Sequence, residues 1–299
     1  MIVSNGAMSF CMPKDLSEKN GMKIYAFADE ASPTLSGQIA AMLRNGLDGV
    51  ELRTVDGVNV SDLKPEQARE IGQRFRENGL CVWSLGSPMG KTELGKDDFD
   101  RETDRMKVTA ELANILDCRN IRMFSFYLPK GAEAKKYQSE VTDRLGVWEM
   151  IAKDAGVCLC LENEKGLFGE TPECCRSVLD ALPSLCGVFD PANFVQVGID
   201  PLPAWEILKD RIRYLHIKDA LYSGDVVPAG CGDGKIAAIT KAFLALGGTD
   251  VTMEPHLHDF GAYKSLEREG MAVELGKKYA FRTPDEAFDA AVRAFRELL

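Results

Sequence analysis

The chain has 299 residues, 45% hydrophobic and 27% charged, with a formal net charge of −10. That length supports a core needing no disulfide staples, and the acidic balance argues against a nucleic-acid binder, which needs a basic surface to displace phosphate counterions. Nothing approaches the roughly 20 apolar residues of a membrane span, residues 1–22 lack a secretion-signal pattern, and the nine cysteines, an odd number, lie scattered in apolar runs, so a cytoplasmic protein without a membrane partner is expected.

Residues 1–22 contain the polar stretches "SNG" and "KDLSEKNG" and predict an N-terminal extension, flexible or draped over the unit that follows. That unit spans 23–299. From Lys23 onward, short apolar runs alternate with amphipathic ones. Strands are expected near 23–28, 48–53, 80–86, 120–126, 157–162, 186–190, 213–218 and 250–254. The joints repeat: "LRNGLDGVELR", "FRENGLCVWSL", "AKDAGVCLCLE" and "LALGGTDVTME" each read as a helix closing on glycine and turning into a strand. Gly156 and Gly248 are the expected left-handed caps in the last two. Pro65 and Pro172 suit first helical turns, and "TPDE" reads as a capping box with Thr283 as N-cap and Glu286 three residues on. Eight such units predict a single parallel (β/α)8 TIM barrel. A doubly wound sheet would need a glycine-rich phosphate turn after the first strand, and "ADEASPTLSGQ" lacks one.

Side chains alternate across a strand. In 157–162 one face is Val157, Leu159 and Leu161, and the other Cys158, Cys160 and Glu162. The same split gives Cys186, Val188 and Asp190; Tyr214 and His216; and Asp250, Thr252 and Glu254. The greasier face belongs on the helices and the more polar one inside the barrel. Each polar face ends in a potential metal ligand: Glu162, Asp190, His216, Glu254. The C-terminal rim is where barrels of this kind keep their chemistry, and the four strands are neighbours. One divalent metal held by these four residues accounts for a carboxylate at the end of a buried strand. Three carboxylates and an imidazole favour Mn²⁺, with Mg²⁺, Co²⁺ and Zn²⁺ also suited. The cysteines read as small buried fillers.

"CLENE", "VFDPANF", "YLHIKDA", "GCGDGKI" and "TMEPHL" resemble the xylose isomerase-like barrels, which include sugar epimerases, hydroxypyruvate isomerase, inosose dehydratase and apurinic endonucleases. "AFADEAS", "GVELRTVDGVNV" and "GSPMGK" are similar to a sugar phosphate isomerase/epimerase subgroup. The resemblance spans about 22–299. It implies that Glu162, Asp190, His216 and Glu254 bind one metal that holds a sugar's carbonyl and hydroxyl oxygens. Glu162 and Glu254 would be catalytic, one removing the proton beside the carbonyl and the other returning one, with a metal-stabilised enediolate between. The implied function is isomerisation or epimerisation of a small sugar or sugar derivative. A metal-dependent keto-polyol dehydratase and a non-catalytic sugar-binding barrel are the alternatives. The ketose 3-epimerases of this group carry histidine where this chain has Asn193, and arginine in the region of Lys218, Asp219 and Tyr222.

Arg53 and Glu51 share the inward face of the second strand, as an internal ion pair or with Arg53 reaching substrate. Substrate contacts are expected from Arg53, Lys91, Asn193, Lys218 and His256, with His256 alternatively orienting a ligand. His258 lies further out. "GCGDGK" lacks the spacing of a phosphate-binding P-loop and reads as a mobile loop over the mouth. Residues 255–282 read as a long lid-like connection. Trp83, Phe124 and Phe126 are expected mainly in the core, with stacking on a sugar as the alternative. The expected partner is a small sugar; a homo-oligomer stays open.

Overall fold

The computed structural model describes residues 21–259 and 279–299. Eight parallel strands close into a barrel: β1 (Lys23–Ala26), β2 (Gly49–Leu52), β3 (Cys81–Gly86), β4 (Asn120–Met123), β5 (Cys158–Glu162), β6 (Cys186–Phe189), β7 (Ile212–Ile217) and β8 (Asp250–Met253). Each pairs with its sequence neighbours, and β1 completes the ring against β8, with Lys23 opposite Asp250 and Ala26 opposite Met253. All eight expected strands are present, and the closure excludes an open doubly wound sheet. The 1–22 extension, apart from its last two residues, and most of the 255–282 connection lie outside the described residues. Among the described residues no helix is long and apolar enough to cross a membrane.

The helices are α1 (Leu35–Arg44), α2 (Pro65–Glu77), α3 (Phe99–Ile115), α4 (Ala134–Ala155), α5 (Pro172–Ala181), α6 (Pro191–Gln196), α7 (Pro201–Leu208), α8 (Ile236–Ala245) and a C-terminal helix (Pro284–Arg296). Local chemistry sets their ends. Pro65, Pro172 and Pro284 open helices, where a missing N–H costs nothing. Thr171 accepts from the Cys174 N–H, and Thr283 from the Glu286 N–H at 3.1 Å. The capping box at Thr283 is only half made, because the Glu286 carboxylate takes the N–H of Arg282 instead. After α4, Gly156 adopts φ +70° as expected. After α8 the left-handed residue is Gly247, φ +86°, rather than Gly248. Gly248 is required for a different reason: a Cβ there would lie 2.3 Å from the Phe243 ring.

The two faces of each strand separate as the alternation predicts. Leu159, Leu161, Phe189, Leu215, Ile217, Val251 and Met253 join the large core shared with the helices. Cys160, Val188 and Tyr214 form a separate small cluster with Cys158 and Cys186. A one-residue slip of β5 would exchange Leu159 and Leu161 for Cys158, Cys160 and Glu162. Burying one leucine contributes about 1.5–3 kcal/mol, so the register is strongly specified. Register shifts interrupt β2 against β3 between Val50 and Glu51, and β6 against β7 between Gly187 and Val188. Such irregularities re-aim side chains near a site; here they precede Glu51 and Asp190. Lower in the barrel, Tyr25 stacks on Trp83 at 4.8 Å.

Candidate metal centre

Four strand ends supply the site. Glu162 is the last residue of β5, and His216 is the penultimate residue of β7. Asp190 and Glu254 directly follow β6 and β8. Asp190 also caps α6, accepting from the Asn193 N–H at 3.0 Å, which fixes one carboxylate oxygen and leaves the other toward the barrel axis. Glu162, Asp190, His216 and Glu254 each present one ligand atom, all within 4.8 Å of one another, and all four are buried. His216 Nδ1 lies 3.1 Å from Glu162 Oε1 and 3.2 Å from Glu254 Oε2. Its other nitrogen, Nε2, lies 3.2 Å from Glu51 Oε2.

The donors fit a divalent cation. Two buried oxygens, Glu162 Oε2 and Asp190 Oδ2, have no aligned hydrogen-bond donor. Arg122 Nε at 3.2 Å from the first and Lys218 Nζ at 2.7 Å from the second are within ion-pairing distance but off hydrogen-bond geometry. A buried carboxylate oxygen left that way costs free energy, and a cation among these donors removes the cost. The cluster can hold one divalent ion. A second acidic group, Glu30, Glu254 and His256, already surrounds a cation. Arg53 lies 3.2 Å from Glu30 and 3.1 Å from Glu254 within it.

The electrostatics follow from burial and neighbours. Burial pushes the Asp190 carboxyl up to about 7, against the pull of Lys218. Burial also acts on Glu254, but Lys218 and His216 outweigh it and hold the carboxyl well below the usual range. His216 is disfavoured as a cation by burial, yet Glu162, Glu51 and Glu254 raise it well above the ordinary imidazole. His256 goes the other way: burial, with Lys218 and Arg53, keeps it neutral despite Glu254.

The other expected contacts fall around this centre. Arg53 does not pair with Glu51; it pairs with Asp29 at 2.9 Å, with Glu30 and with Glu254, and lies over the Phe27 ring. Lys218 bridges Asp190 at 2.7 Å and Glu254 at 3.3 Å. Lys91 pairs with Glu164 at 3.0 Å above the Phe124 ring. Asn193 uses its amide on Glu162 Oε1 and the Asn163 carbonyl. His256, at φ +46°, donates its backbone N–H to Glu30 and lies 3.3 Å from it through Nε2. His258 is not part of the cluster and has its Nδ1 2.7 Å from the Asp259 carbonyl oxygen. Phe124 reaches the site, whereas Trp83 and Phe126 pack elsewhere, against Tyr25 and Trp148.

Sequence reasoning missed Arg122, Asp29, Glu30 and Glu164, and did not foresee Glu51 behind His216. The signal for Arg122 was present: it shares inward parity with Asn120 and Phe124 on β4, and a buried guanidinium requires a carboxylate. The 230–235 loop has its own explanation. The N–H groups of Gly230, Gly232 and Gly234 donate to the buried Asp219 carboxylate at 2.8, 3.0 and 2.8 Å, and Ala220 N adds a fourth bond.

A family model described as "Xylose isomerase-like TIM barrel" matches residues 39–298. An uncharacterised Bacillus subtilis protein, YfiH, is 26% identical over 208 residues, a stretch covering 58% of this chain and 65% of that protein. A D-allulose 3-epimerase from Methylomonas sp. superposes with TM-score 0.72 at 15% identity, over 93% of this chain and 98% of the other. A probable 3-DHS dehydratase from Bacillus anthracis does so with TM-score 0.70 at 15% identity, over 92% and 99%. The IolI protein, crystallised with a zinc atom, gives TM-score 0.70 at 17% identity, over 93% and 98%. At these identities the structural likenesses establish the fold.

Proposed function

The chain belongs to the xylose isomerase-like TIM barrel family, and from that premise we propose that it is a divalent-metal-dependent isomerase or epimerase of a small sugar or sugar derivative. The carrying observation is the buried convergence of Glu162, Asp190, His216 and Glu254, with two carboxylate oxygens lacking an aligned donor. These four residues hold the ion, Mn²⁺ by preference for an oxygen-rich donor set. When bound, it supplies Lewis-acid stabilisation of the charge that proton removal places on the substrate oxygen.

The chain's own groups do the rest. Glu254 and Glu162 flank His216 Nδ1 at 3.2 and 3.1 Å, so two carboxylates are at hand for proton transfer to and from a substrate held at this centre. Glu254, kept ionised by Lys218 and His216, is the base that takes the proton beside the carbonyl. Glu162, braced by Arg122 and Asn193, returns a proton from its own side. Arg53, Lys91, Lys218 and His256 bind and orient hydroxyls. Glu51 engages Nε2 of His216 and so would leave Nδ1 to the ion.

Solvent deuterium exchange into ketoses tests this. The Mn²⁺-loaded protein is expected to incorporate deuterium at the carbon beside the carbonyl. Glu162→Gln and Glu254→Gln should each slow it by about 10²- to 10⁴-fold. No incorporation across free and phosphorylated ketoses sinks the reading.

One observation favours a keto-polyol dehydratase: the Lys218 ammonium, 3.3 Å from Glu254, could protonate a leaving hydroxyl. Against it, the carboxylates around Lys218, Asp190 foremost, overcome burial and hold its proton far more tightly than usual. Appearance of an enone absorbance would reverse the preference.

A further inference from the structure

We infer that the substrate of this site is an uncharged sugar or polyol rather than a phosphate ester or a carboxylic acid, because its cations are held by the protein's own carboxylates and its glycine-rich loop already cradles one. The inference rests on the functional reading above and narrows it.

Recognition of a phosphate or carboxylate needs cationic or amide donors still available to it. Among the described residues of this site the cationic side chains are committed to ion pairs. Arg53 is ringed by Asp29, Glu30 and Glu254; Lys218 by Asp190 and Glu254; Lys91 by Glu164. Arg122 faces Glu162 at 3.2 Å and Glu51 at 3.8 Å. Seven carboxylates thus meet four cations. An incoming anion meets a centre whose positive charge is already matched, and like-charge juxtaposition is disfavoured. A neutral polyol exchanges hydrogen bonds with the same groups without that penalty.

The second observation is independent of the first. "GCGDG" is the kind of glycine-rich turn whose successive N–H groups form an anion-binding hollow. Here the hollow holds Asp219, through Gly230, Gly232 and Gly234. A Cβ on Gly232 would meet the Asp219 carboxylate at 2.4 Å, so glycine is needed for the protein's own anion to seat.

Two measurements on the full chain test this. The first compares deuterium exchange, with Mn²⁺, into free ketopentoses and ketohexoses and into the terminal phosphate ester of each. The free sugar is expected to have at least about tenfold higher kcat/KM. Glu164→Gln, which uncovers Lys91, should narrow that ratio. A phosphate ester that exchanges as fast as its free sugar, or faster, overturns the inference while leaving the isomerase reading intact. The second measurement needs no turnover: equilibrium dialysis of inorganic phosphate against the metal-free chain. No saturable binding below about 10 mM is expected. Saturable binding below about 1 mM that Lys91→Ala or Lys218→Ala weakens overturns the inference. If neither sugar class exchanges, the isomerase reading fails and the dialysis result alone decides what charge the site accepts.

Discussion

His216 shows how much of the site depends on single atoms. In the metal-free protein it shares protons with three carboxylates, and burial pushes Asp190 up to about 7. Both must be deprotonated to bind a metal, so metal and protons compete, and affinity rises with pH. Manganese titrated into the protein at pH 7, in two buffers of different ionisation heat, should release about one proton or more per ion. Equal heats in both buffers would refute this. The contribution of Asp190 to the stability of the metal-free fold has the opposite slope. Asp190 is raised on folding, so its contribution is present below the unfolded value near 4 and lost as pH rises toward 7. Glu51 holds Nε2 of His216, and Glu51→Gln should weaken metal affinity about 10- to 100-fold in a chelator competition. Unchanged affinity would show that the ring is oriented by packing alone. The four strand tips were legible because a period of two needs only the sequence of one strand. The inward parity of Arg122 was legible but its partners were not, and Glu51 and Glu30 were missed, because each meets groups from other strands, His216 from across the barrel in the case of Glu51, and no local pattern records which inward residues meet there.

Elements were legible wherever their chemistry is local. Prolines at helix starts and the Thr283 cap act within four residues. The errors came where two neighbouring residues could do the same job, as with Gly247 and Gly248, and only the Phe243 ring decides between them. The 230–235 loop was the largest gap. Its glycines read as a mobile cover over the mouth, and their partner, Asp219, lies 11 to 15 residues away. That anchor has a measurable consequence. Hydrogen bonds to a charged acceptor contribute about 1.5–3 kcal/mol each. Asp219→Ala should accelerate amide exchange at Gly230, Gly232 and Gly234 by about tenfold or more, while β4 amides keep their protection. Glycine amides as protected as in the wild type would mean that the loop is held by other contacts.

At the scale of the whole molecule, the closed sheet was legible from the count of strand–helix units, since eight such units leave no edge to expose. The proposed metal site belongs to this scale too, because its four candidate ligands bring β5, β6, β7 and β8 to one point. Manganese at about 100 times its dissociation constant should stabilise the fold by about 2.7 kcal/mol. In a chain of this length, chelation should therefore lower the unfolding midpoint by several degrees. Glu254→Gln and His216→Ala should unfold at temperatures that respond little to chelator. A wild-type midpoint indifferent to both manganese and chelator would refute a resident ion. The seam between β1 and β8 adds a constraint of timing. A chain synthesised from its N-terminus exposes β1 first, yet one neighbour of β1 is the last strand of the ring. Until residues 250–254 leave the ribosome, β1 has an open edge and the cluster lacks its fourth member. The nascent protein is thus an unsealed sheet with a free strand edge, and the four-residue cluster is complete only once β8 closes the ring.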